Sequence, residues 1–487
     1  MTKIIDQEDG VGIARLIAAG EVSAVEVLEA TIERIEELNP HFNAVVYKAY
    51  DDARQLAREV TPTSSALAGV PFVAKDLALD WAGMPTTNSC SFYAGPVATS
   101  DSEIARRVKV AGIIPVGKSN VPENGWCYST EPRFHGRTLN PWDESLVPGG
   151  SSGGSAVAVA THMVPIGDAS DLGGSIRVPA AINGLVGLKI SRGRTTLGPG
   201  VVDLWSGSAV FNCVTRTVRD TAAYLDAVGG ALPGEPYALA MPRVSFLESA
   251  AIPRDRLRIG VMLTCPDGEA VDPEVRAAVE AAAELCATLG HEIVDFDLRY
   301  DWGHIREFFV RITAVTATMM FDGAGRAMGR QVTPADVEPV TWEMIEFGRQ
   351  FSAVDYALDT EQLRQVGQQL IVDQLPFDVV ITPVMPVVSR PLGWYDMSLP
   401  SLDSYHDRLL ADMQFMVPFN LAGQPAISLP LGSTSAGLPL GVQFVGGIGD
   451  EDVLLSLATQ LEQAAPWKVR MVPPAVRGAK GTNAPVA

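Results

Sequence analysis

Two clusters of serine and glycine are the part of this sequence best suited to nucleophilic chemistry. The first occupies residues 149–155 and the second occupies residues 171–177. Tight turns are the ordinary explanation of such clusters. Glycine beside serine also lets backbone N–H groups approach a reacting carbonyl closely, so the second cluster can supply oxyanion donors next to a hydroxyl nucleophile. The donors would be the backbone N–H groups of Leu172, Gly173, Gly174 and Ser175.

A serine nucleophile needs a base, and the six histidines of the chain stand in no recognisable triad context. A buried lysine is the alternative, because desolvation lowers the pKa of its ammonium group toward neutrality. Lys75 fits this role since it follows the apolar run at residues 70–74, which is typical of a buried strand. A lone lysine is ordinarily a solvated surface charge, and it is the serine clusters that favour the catalytic interpretation.

Two short motifs suggest other chemistry, and their surroundings contradict both. Residues 112–119 match the P-loop pattern letter for letter, but a predicted helix ends at Gly112 and the middle residues are stiff and strand-like. Residues 150–154 satisfy G-x-S-x-G, which would make Ser152 the nucleophile of an α/β-hydrolase. An irregular loop, not a strand, precedes this motif. We therefore reject both the nucleotide site and the nucleophile elbow.

The composition excludes several classes of protein. The chain has 487 residues, is 47% hydrophobic and carries 57 acidic against 37 basic residues, and the resulting net charge of −20 repels nucleic acid and anionic lipid. The five cysteines are scattered, without a C-x-x-C pair or histidines at metal-ligand spacing, so we expect reduced thiols and no metal. The N-terminus lacks the apolar core of a signal peptide and no long apolar run occurs, which predicts a cytoplasmic protein.

Apolar β-type runs alternate with helical stretches along the chain. The predicted strands lie at residues 70–74, 113–116, 164–167, 257–262, 379–382, 426–431 and 440–445. The predicted helices lie at residues 102–111, 269–289 and 451–463, and a capping box at Ser23 and Glu26 opens another helix that ends near Pro40. This alternation predicts a layered α/β fold with a mostly buried sheet. We expect one domain over residues 1–472 and a flexible tail over residues 473–487.

Four blocks of the sequence, in this order, resemble the amidase signature family: residues 69–76, 149–155, 171–180 and 184–189. The likeness extends from the N-terminal helices to about residue 470. It implies a single domain in which a large, mixed, twisted β-sheet lies between layers of α-helices, with a Ser-Ser-Lys catalytic set. By this resemblance Lys75 matches the base, Ser151 matches a relay serine that follows a cis peptide bond, and Ser175 matches the nucleophile.

The resemblance also suggests supporting residues. Ser152, Asp171 and Arg177 match positions that hold the catalytic loops, the last two as an ion pair. Residues 342–344 and 460–467 are similar to bacterial hydrolases of the nylon-oligomer cyclic dimer type. Further pocket walls are expected in residues 308–321 and 415–419. The substrate is expected to contact Asn124, Gly125, Trp126 and Cys127.

These features predict hydrolysis of a C–N bond through an acyl-enzyme, without a cofactor. The expected substrate is a small uncharged amide, anilide, carbamate or nylon-type oligomer with hydrophobic or aromatic groups. Esters present the same electrophilic carbonyl carbon, so some activity on esters is expected as well. Two alternatives stay open: a glutamine-hydrolysing subunit of a tRNA-dependent amidotransferase, and a non-catalytic binding protein on the same fold. Residues 410–420 lack the Tyr-Leu-x-Asp run associated with that subunit. We expect no nucleic-acid or membrane partner, and a homodimer is left open.

Overall fold

One mixed β-sheet runs through the computed structural model, which describes residues 2–298, 300–399, 401–467 and 473–477. The sheet formed by these residues has eleven strands. In chain order they are β1 (Val45–Lys48), β2 (Pro71–Lys75), β3 (Ile114–Ser119), β4 (Ile166–Asp171), β5 (Val186–Lys189), β6 (Val210–Thr215), β7 (Arg258–Val261), β8 (Glu292–Asp295), β9 (Val379–Pro383), β10 (Ala426–Ser433) and β11 (Pro439–Gly446).

The strands lie in the spatial order β1-β3-β2-β4-β6-β5-β10-β11-β9-β7-β8. Strand β2 is parallel to both β3 and β4, and β7 is parallel to both β8 and β9, whereas the other neighbouring pairs are antiparallel. Every residue of β2, β3 and β4 is buried. A strand covered on both faces is expected to be mostly apolar, and each of these strands begins with apolar residues. Polar residues follow in all three: Lys75 in β2, Lys118 and Ser119 in β3, and Asp168, Ser170 and Asp171 in β4.

Helices cover the sheet. In the described residues they are α1 (Thr2–Gln7), α2 (Gly10–Ala18), α3 (Ala24–Phe42), α4 (Tyr50–Glu59), α5 (Glu103–Val110), α6 (Gly153–Ala160), α7 (Arg177–Asn183), α8 (Val218–Val228), α9 (Phe246–Ala250), α10 (Pro273–Thr288), α11 (Trp302–Met328), α12 (Pro339–Gly348), α13 (Ala353–Gln374), α14 (Leu402–Ala411), α15 (Val417–Ala422), α16 (Glu451–Ala464) and α17 (Pro474–Arg477). The two segments Ser91–Tyr93 and Glu123–Gly125 are 3₁₀ helices. This architecture confirms the predicted α/β fold.

Each predicted strand and helix overlaps an observed one, but four strands were not predicted: β1, β5, β6 and β8. Strands β5 and β6 are interrupted by glycine or polar residues such as Lys189 and Asn212, and these side chains are buried inside the protein. Their burial depends on the packing around them, which a local pattern does not record. Helix α3 begins with the predicted capping box but runs past Pro40, because it ends only where Asn43 adopts a left-handed conformation.

The predicted C-terminal tail is partly described. Helix α17 lies within it, and Val476 of this helix is buried. Residues 478–487 lie outside the described residues, and so do residues 468–472, in which the predicted domain boundary falls. The described residues contain no helix with both the length and the hydrophobicity of a transmembrane segment.

Candidate active site

Lys75 is the last residue of β2, and its side chain is fully buried. Three serine hydroxyls surround its ammonium nitrogen: Nζ lies 2.8 Å from Ser151 Oγ, 2.8 Å from Ser152 Oγ and 2.9 Å from Ser170 Oγ. Burial lowers the pKa of the Lys75 ammonium to about 7, and the negative charges of Asp168 and Asp171 only partly oppose this effect. A substantial share of Lys75 is therefore neutral near pH 7 and able to accept a proton.

The three hydroxyls match the hydrogen-bonding capacity of a neutral amine. Such an amine has two N–H donors and one lone pair, so two hydroxyl oxygens accept from Lys75 and one hydroxyl can donate to it. The Ser152 hydroxyl donates to the Ser170 carbonyl oxygen at 3.5 Å. The hydroxyl of Ser151 or that of Ser170 then remains to donate to the lone pair, and a proton relay through Ser151 requires that Ser151 be the donor.

Ser151 lies in a turn that leads directly into α6. The Gly150–Ser151 peptide is cis, as the resemblance implies. A Cβ atom at Gly150 would collide with the backbone carbonyl of Cys127, so the turn can approach that carbonyl only with glycine at this position. The N–H of Ser152 donates to the carbonyl of Ser175 at 3.4 Å, which joins the two serine clusters.

Ser175 lies in the turn between β4 and α7, and Asp171 holds this turn. The Asp171 carboxylate accepts the N–H of Gly174 at 2.8 Å and the N–H of Ile176 at 3.2 Å. It also forms an ion pair of 2.8 Å with Arg177, and both side chains are fully buried. Burial alone would raise the pKa of Asp171, but the Arg177 guanidinium holds it well below the usual range. The predicted ion pair is therefore present.

The predicted oxyanion donors need one correction. The N–H of Gly174 already donates to Asp171, so it is not free for a substrate. The N–H groups of Leu172, Gly173 and Ser175 make no hydrogen bond to any residue that the structure describes. The Tyr128 hydroxyl donates to the carbonyl of Gly173, and this bond fixes the peptide in the middle of the turn. The available donor set is thus smaller than the sequence indicated.

The hydroxyl of Ser175 faces a cavity. Within the described part of the chain it forms no hydrogen bond with another protein group, so the expected contact between Ser151 Oγ and Ser175 Oγ is not made in this structure. Catalytic hydrogen bonds are often long without substrate and shorten when it binds. The structure therefore contains the contact between Lys75 and Ser151, and it leaves the Ser175 hydroxyl accessible from the cavity.

The cavity offers about 540 Å³ of empty space, counting its open mouth. Most of its wall is apolar and comes from residues 126–128, which follow the second 3₁₀ helix, and from α11, α12 and α14. No Asp, Glu, Lys or Arg lines it among the described residues. The principal apolar residues of the wall are Trp126, Phe309, Met344, Leu409, Leu410 and Met413. Such a cavity suits an uncharged substrate with hydrophobic groups.

Two of the four residues that were predicted to contact the substrate line the cavity. Trp126 and Cys127 do, whereas Asn124 and Gly125 do not. Gly125 instead lies behind Ser151, since a Cβ atom there would come within 3.2 Å of Ser151 Oγ. Asn124 is buried in a left-handed conformation.

Of the two segments that were predicted to form further walls of the pocket, one lines the cavity and the other does not. Residues 308–321 contribute Phe309 and Thr313 to the cavity, as expected. The prediction for residues 415–419 was wrong, because Phe415 and Phe419 are completely buried in the core. Helix α14 and the residue Met413 form that wall instead.

Several residues near the site were missed by sequence reasoning. Ser170 contacts Lys75 Nζ, and Asp168 accepts the backbone N–H of Lys75 at 3.1 Å. Both belong to β4, where polar residues at alternate positions of a buried strand were the available signal. Burial raises the pKa of Asp168 to about 7. His406 lines the cavity from α14, although no local pattern marks it out.

The P-loop pattern and the G-x-S-x-G pattern, which the sequence analysis rejected, both belong to the structural framework of the protein. Residues 114–119 of the false P-loop form β3, where Lys118 is fully buried and donates to the carbonyl of Leu79 at 3.2 Å. Ser152 of the false elbow points its hydroxyl at Lys75, and no strand ends directly before it. Neither segment has the local structure that its motif requires.

Comparisons with known proteins identify the family of the chain. The Amidase family model matches residues 26–455. A 6-aminohexanoate-cyclic-dimer hydrolase from Pseudomonas sp. (strain NK87) is 36% identical over 483 residues, which is 96% of this chain and 97% of the relative. A putative amidase AmiC from Mycobacterium tuberculosis is 34% identical over 460 residues, covering 94% of this chain and 95% of that relative.

Solved structures give the same result. The structure of a 6-aminohexanoate cyclic dimer hydrolase complexed with substrate matches with a TM-score of 0.90 at 35% identity, covering 96% of this chain and 99% of that one. A bacterial aryl acylamidase of the amidase signature enzymes matches with a TM-score of 0.86 at 26% identity, covering 96% and 98% of the two chains. The chain therefore belongs to the amidase signature family, whose hydrolases act on amide C–N bonds.

Proposed function

We propose that this chain hydrolyses small, uncharged amides through an acyl-enzyme on Ser175, with Ser151 as proton relay and Lys75 as base. One observation carries the proposal: the buried Lys75 Nζ lies 2.8 Å from Ser151 Oγ, in a turn whose next residue is hydrogen-bonded to Ser175. A buried amine with a pKa near neutrality can serve as a general base for a hydroxyl group. Ser175 opens onto the cavity in which a substrate carbonyl would lie.

In the acylation step, Ser175 Oγ attacks the carbonyl carbon while its proton passes to Ser151. The Ser151 proton passes in turn to the lone pair of Lys75. The carbonyl oxygen becomes an oxyanion that the free N–H groups of the Leu172–Ser175 turn can stabilise. The proton then returns through Ser151 to the nitrogen of the substrate, the C–N bond breaks and the amine leaves. Water releases the acyl group from Ser175 by the same sequence of transfers.

The cavity supports an uncharged hydrophobic or aromatic substrate, such as an anilide, a carbamate or a nylon-type oligomer. Esters and carbamates present the same electrophilic carbonyl, so activity on them is included in the proposal. Two of the similar proteins are named for a cyclic amide dimer and for aryl acylamides. Glutamine is less suited, because its ammonium and carboxylate groups would find no charged side chain among the described lining residues.

Ser175→Ala tests the proposal. It removes the nucleophile and almost no volume, so we expect turnover of an anilide, amide and carbamate panel to be lost while the fold is kept. A fluorophosphonate should label the wild-type protein at Ser175 and should not label the variant.

Ser428→Ala is a matched control, since Ser428 is also a buried serine but lies on β10 outside the cavity. This variant should retain labelling and turnover. Substantial hydrolysis by Ser175→Ala would refute the assignment of the nucleophile, and failure of wild-type protein to react with the probe would favour a non-catalytic binding protein.

A further inference from the structure

One peptide group of the turn that carries Ser175 is held by hydrogen bonds on both of its sides. It joins Gly173 to Gly174, and we call it the central peptide. Its carbonyl oxygen, on Gly173, accepts from the hydroxyl of Tyr128, and its N–H, on Gly174, donates to the Asp171 carboxylate at 2.8 Å. The peptides before and after it have N–H groups without a partner among the described residues. The central peptide is therefore the fixed point of the turn.

A peptide between two glycines needs this double hold. Neither glycine has a Cβ atom, so steric hindrance to rotation of the central peptide is weak. Gly174 has a φ of +122°, which few residues other than glycine adopt. A Cβ atom at Gly174 would also collide with the Tyr128 hydroxyl oxygen, and one at Gly173 would collide with Met413. Because the surroundings require glycine at both positions, hydrogen bonds must supply the rigidity that larger residues would give.

The ring of Tyr128 is itself fixed in place. It is buried and lies edge-on to the ring of Tyr395, with the ring centroids 6.1 Å apart. The Tyr395 hydroxyl donates to Asp412, which forms an ion pair of 2.8 Å with Arg390. Burial raises the pKa of Tyr128 well above its usual value, so the hydroxyl keeps the proton that it donates. These contacts give the hydroxyl a defined direction toward the turn.

The central peptide lies between two free donors. The N–H of Gly173 precedes it and the N–H of Ser175 follows it, and both residues line the cavity, whereas Gly174 does not. Rotation of the central peptide would change the directions of these two N–H groups relative to each other, because the backbone joins them through it. Stabilisation of an oxyanion requires donors that already point to the position where the charge develops. A fixed central peptide meets this requirement.

We propose that Tyr128 is a positioning residue of the hydrolysis: its hydroxyl fixes the central peptide, and the central peptide fixes the two N–H groups that bind the oxyanion. This inference rests on the proposed function, since it concerns the oxyanion that forms when Ser175 attacks the substrate. Tyr128 lines the cavity, but its proton is committed to the Gly173 carbonyl. It therefore acts on the reaction through the turn.

Tyr128→Phe tests the proposal, because it removes the hydroxyl and keeps the ring that packs against Tyr395. The central peptide then keeps one hydrogen bond, and we expect kcat on an anilide to fall about 10²-fold, the cost of a misplacement of about 1 Å. The oxyanion forms only after the attack, so kcat/KM should fall by the same factor while KM stays as in wild type. Circular dichroism checks that the fold is retained.

A second measurement reports on the oxyanion directly. A trifluoromethyl ketone analogue of the anilide forms an anionic tetrahedral adduct with a serine nucleophile, and its affinity depends on the same N–H donors as the transition state. In Tyr128→Phe this affinity should fall by a factor similar to the loss of kcat. The corresponding secondary alcohol, which forms no adduct, should bind both proteins equally.

Tyr300→Phe is the matched control. The Tyr300 hydroxyl also donates to a backbone carbonyl, that of Gln414 at 2.7 Å, but neither residue belongs to the Ser175 turn or lines the cavity. This variant should keep the kcat and the ketone affinity of the wild-type protein.

The outcomes separate the two proposals. Wild-type kcat and ketone affinity in Tyr128→Phe would refute the positioning role and leave the proposed function standing. A higher KM with unchanged kcat would also refute it, since the hydroxyl would then bind the substrate itself. An equal loss in Tyr300→Phe would count against it, because the effect would then not be specific to the turn. A wild-type protein that hydrolyses no amide and resists fluorophosphonate would refute the proposed function itself.

Discussion

Lys75 Nζ and Ser151 Oγ lie 2.8 Å apart, and both side chains are buried. If Ser151 carries the proton between Ser175 and Lys75, its hydroxyl is needed although it forms no bond to the substrate carbon. We expect Ser151→Ala to lower kcat about 10²- to 10⁴-fold, the range of general acid–base contributions. Steady-state kinetics on an anilide measures this loss. Ser208→Ala, which removes another buried serine hydroxyl, should retain the wild-type rate, and equal rates in the two variants would contradict the relay.

The pH dependence of kcat/KM should report the ionisation of Lys75. Only the neutral amine accepts a proton, and burial lowers the pKa of its ammonium to about 7. The protonated form predominates below this pKa, so kcat/KM should rise with pH through about 7 and level off above it. A profile that is flat between pH 5 and 9 on the tested substrate would contradict Lys75 as the base.

The same profile tests the influence of Asp168. The negative charge of Asp168 raises the pKa of Lys75 and so opposes the effect of burial. Asp168→Asn removes this charge but keeps an oxygen that can accept the Lys75 backbone N–H. We therefore expect the acid limb of the kcat/KM profile to move to lower pH. A shift to higher pH, or none, would show that the charge of Asp168 does not reach the amine.

Asp171→Asn should destabilise the protein. It leaves the fully buried Arg177 guanidinium without its countercharge, and breaking a buried ion pair in this way costs about 3–5 kcal/mol of the free energy of unfolding. Denaturant unfolding followed by circular dichroism measures the effect. Arg349→Gln, which breaks a pair with Asp322 on the surface, should cost less than about 1 kcal/mol. Equal stability of Asp171→Asn and wild type would contradict a structural role for the ion pair.

Substrates with a charged end should react poorly. No charged side chain lines the described part of the cavity, so a carboxylate or ammonium group bound there loses its hydration without gaining a partner. We expect at least about a tenfold lower kcat/KM for an amide that ends in a carboxylate than for its methyl ester, since desolvating an unpaired ion is costly. The comparison requires the same amide at the scissile position. Equal values would indicate that the charged end stays in solvent.

The local sequence was sufficient to predict the helices and strands with a clear pattern of apolar residues, and the loops with an unusual composition. The apolar run before Lys75 predicted β2, and the clusters at residues 149–155 and 171–177 predicted the turns that carry Ser151 and Ser175. The ion pair of Asp171 and Arg177 was expected from the family resemblance, and the structure contains it. The strands β5 and β6 could not be predicted from the local sequence, since their polar residues are buried by distant parts of the chain.

By itself, the sequence determined the class of fold, the family and the residues that the family likeness places around Lys75. Only the tertiary structure decided which groups touch that lysine and what encloses the substrate. Ser170 reaches Lys75 because β4 lies beside β2, and the cavity unites Trp126 with Thr313 and His406 from helices far away in the chain. The same packing sets the pKa of Lys75, because desolvation by surrounding residues, and not the type of neighbour in sequence, lowers it.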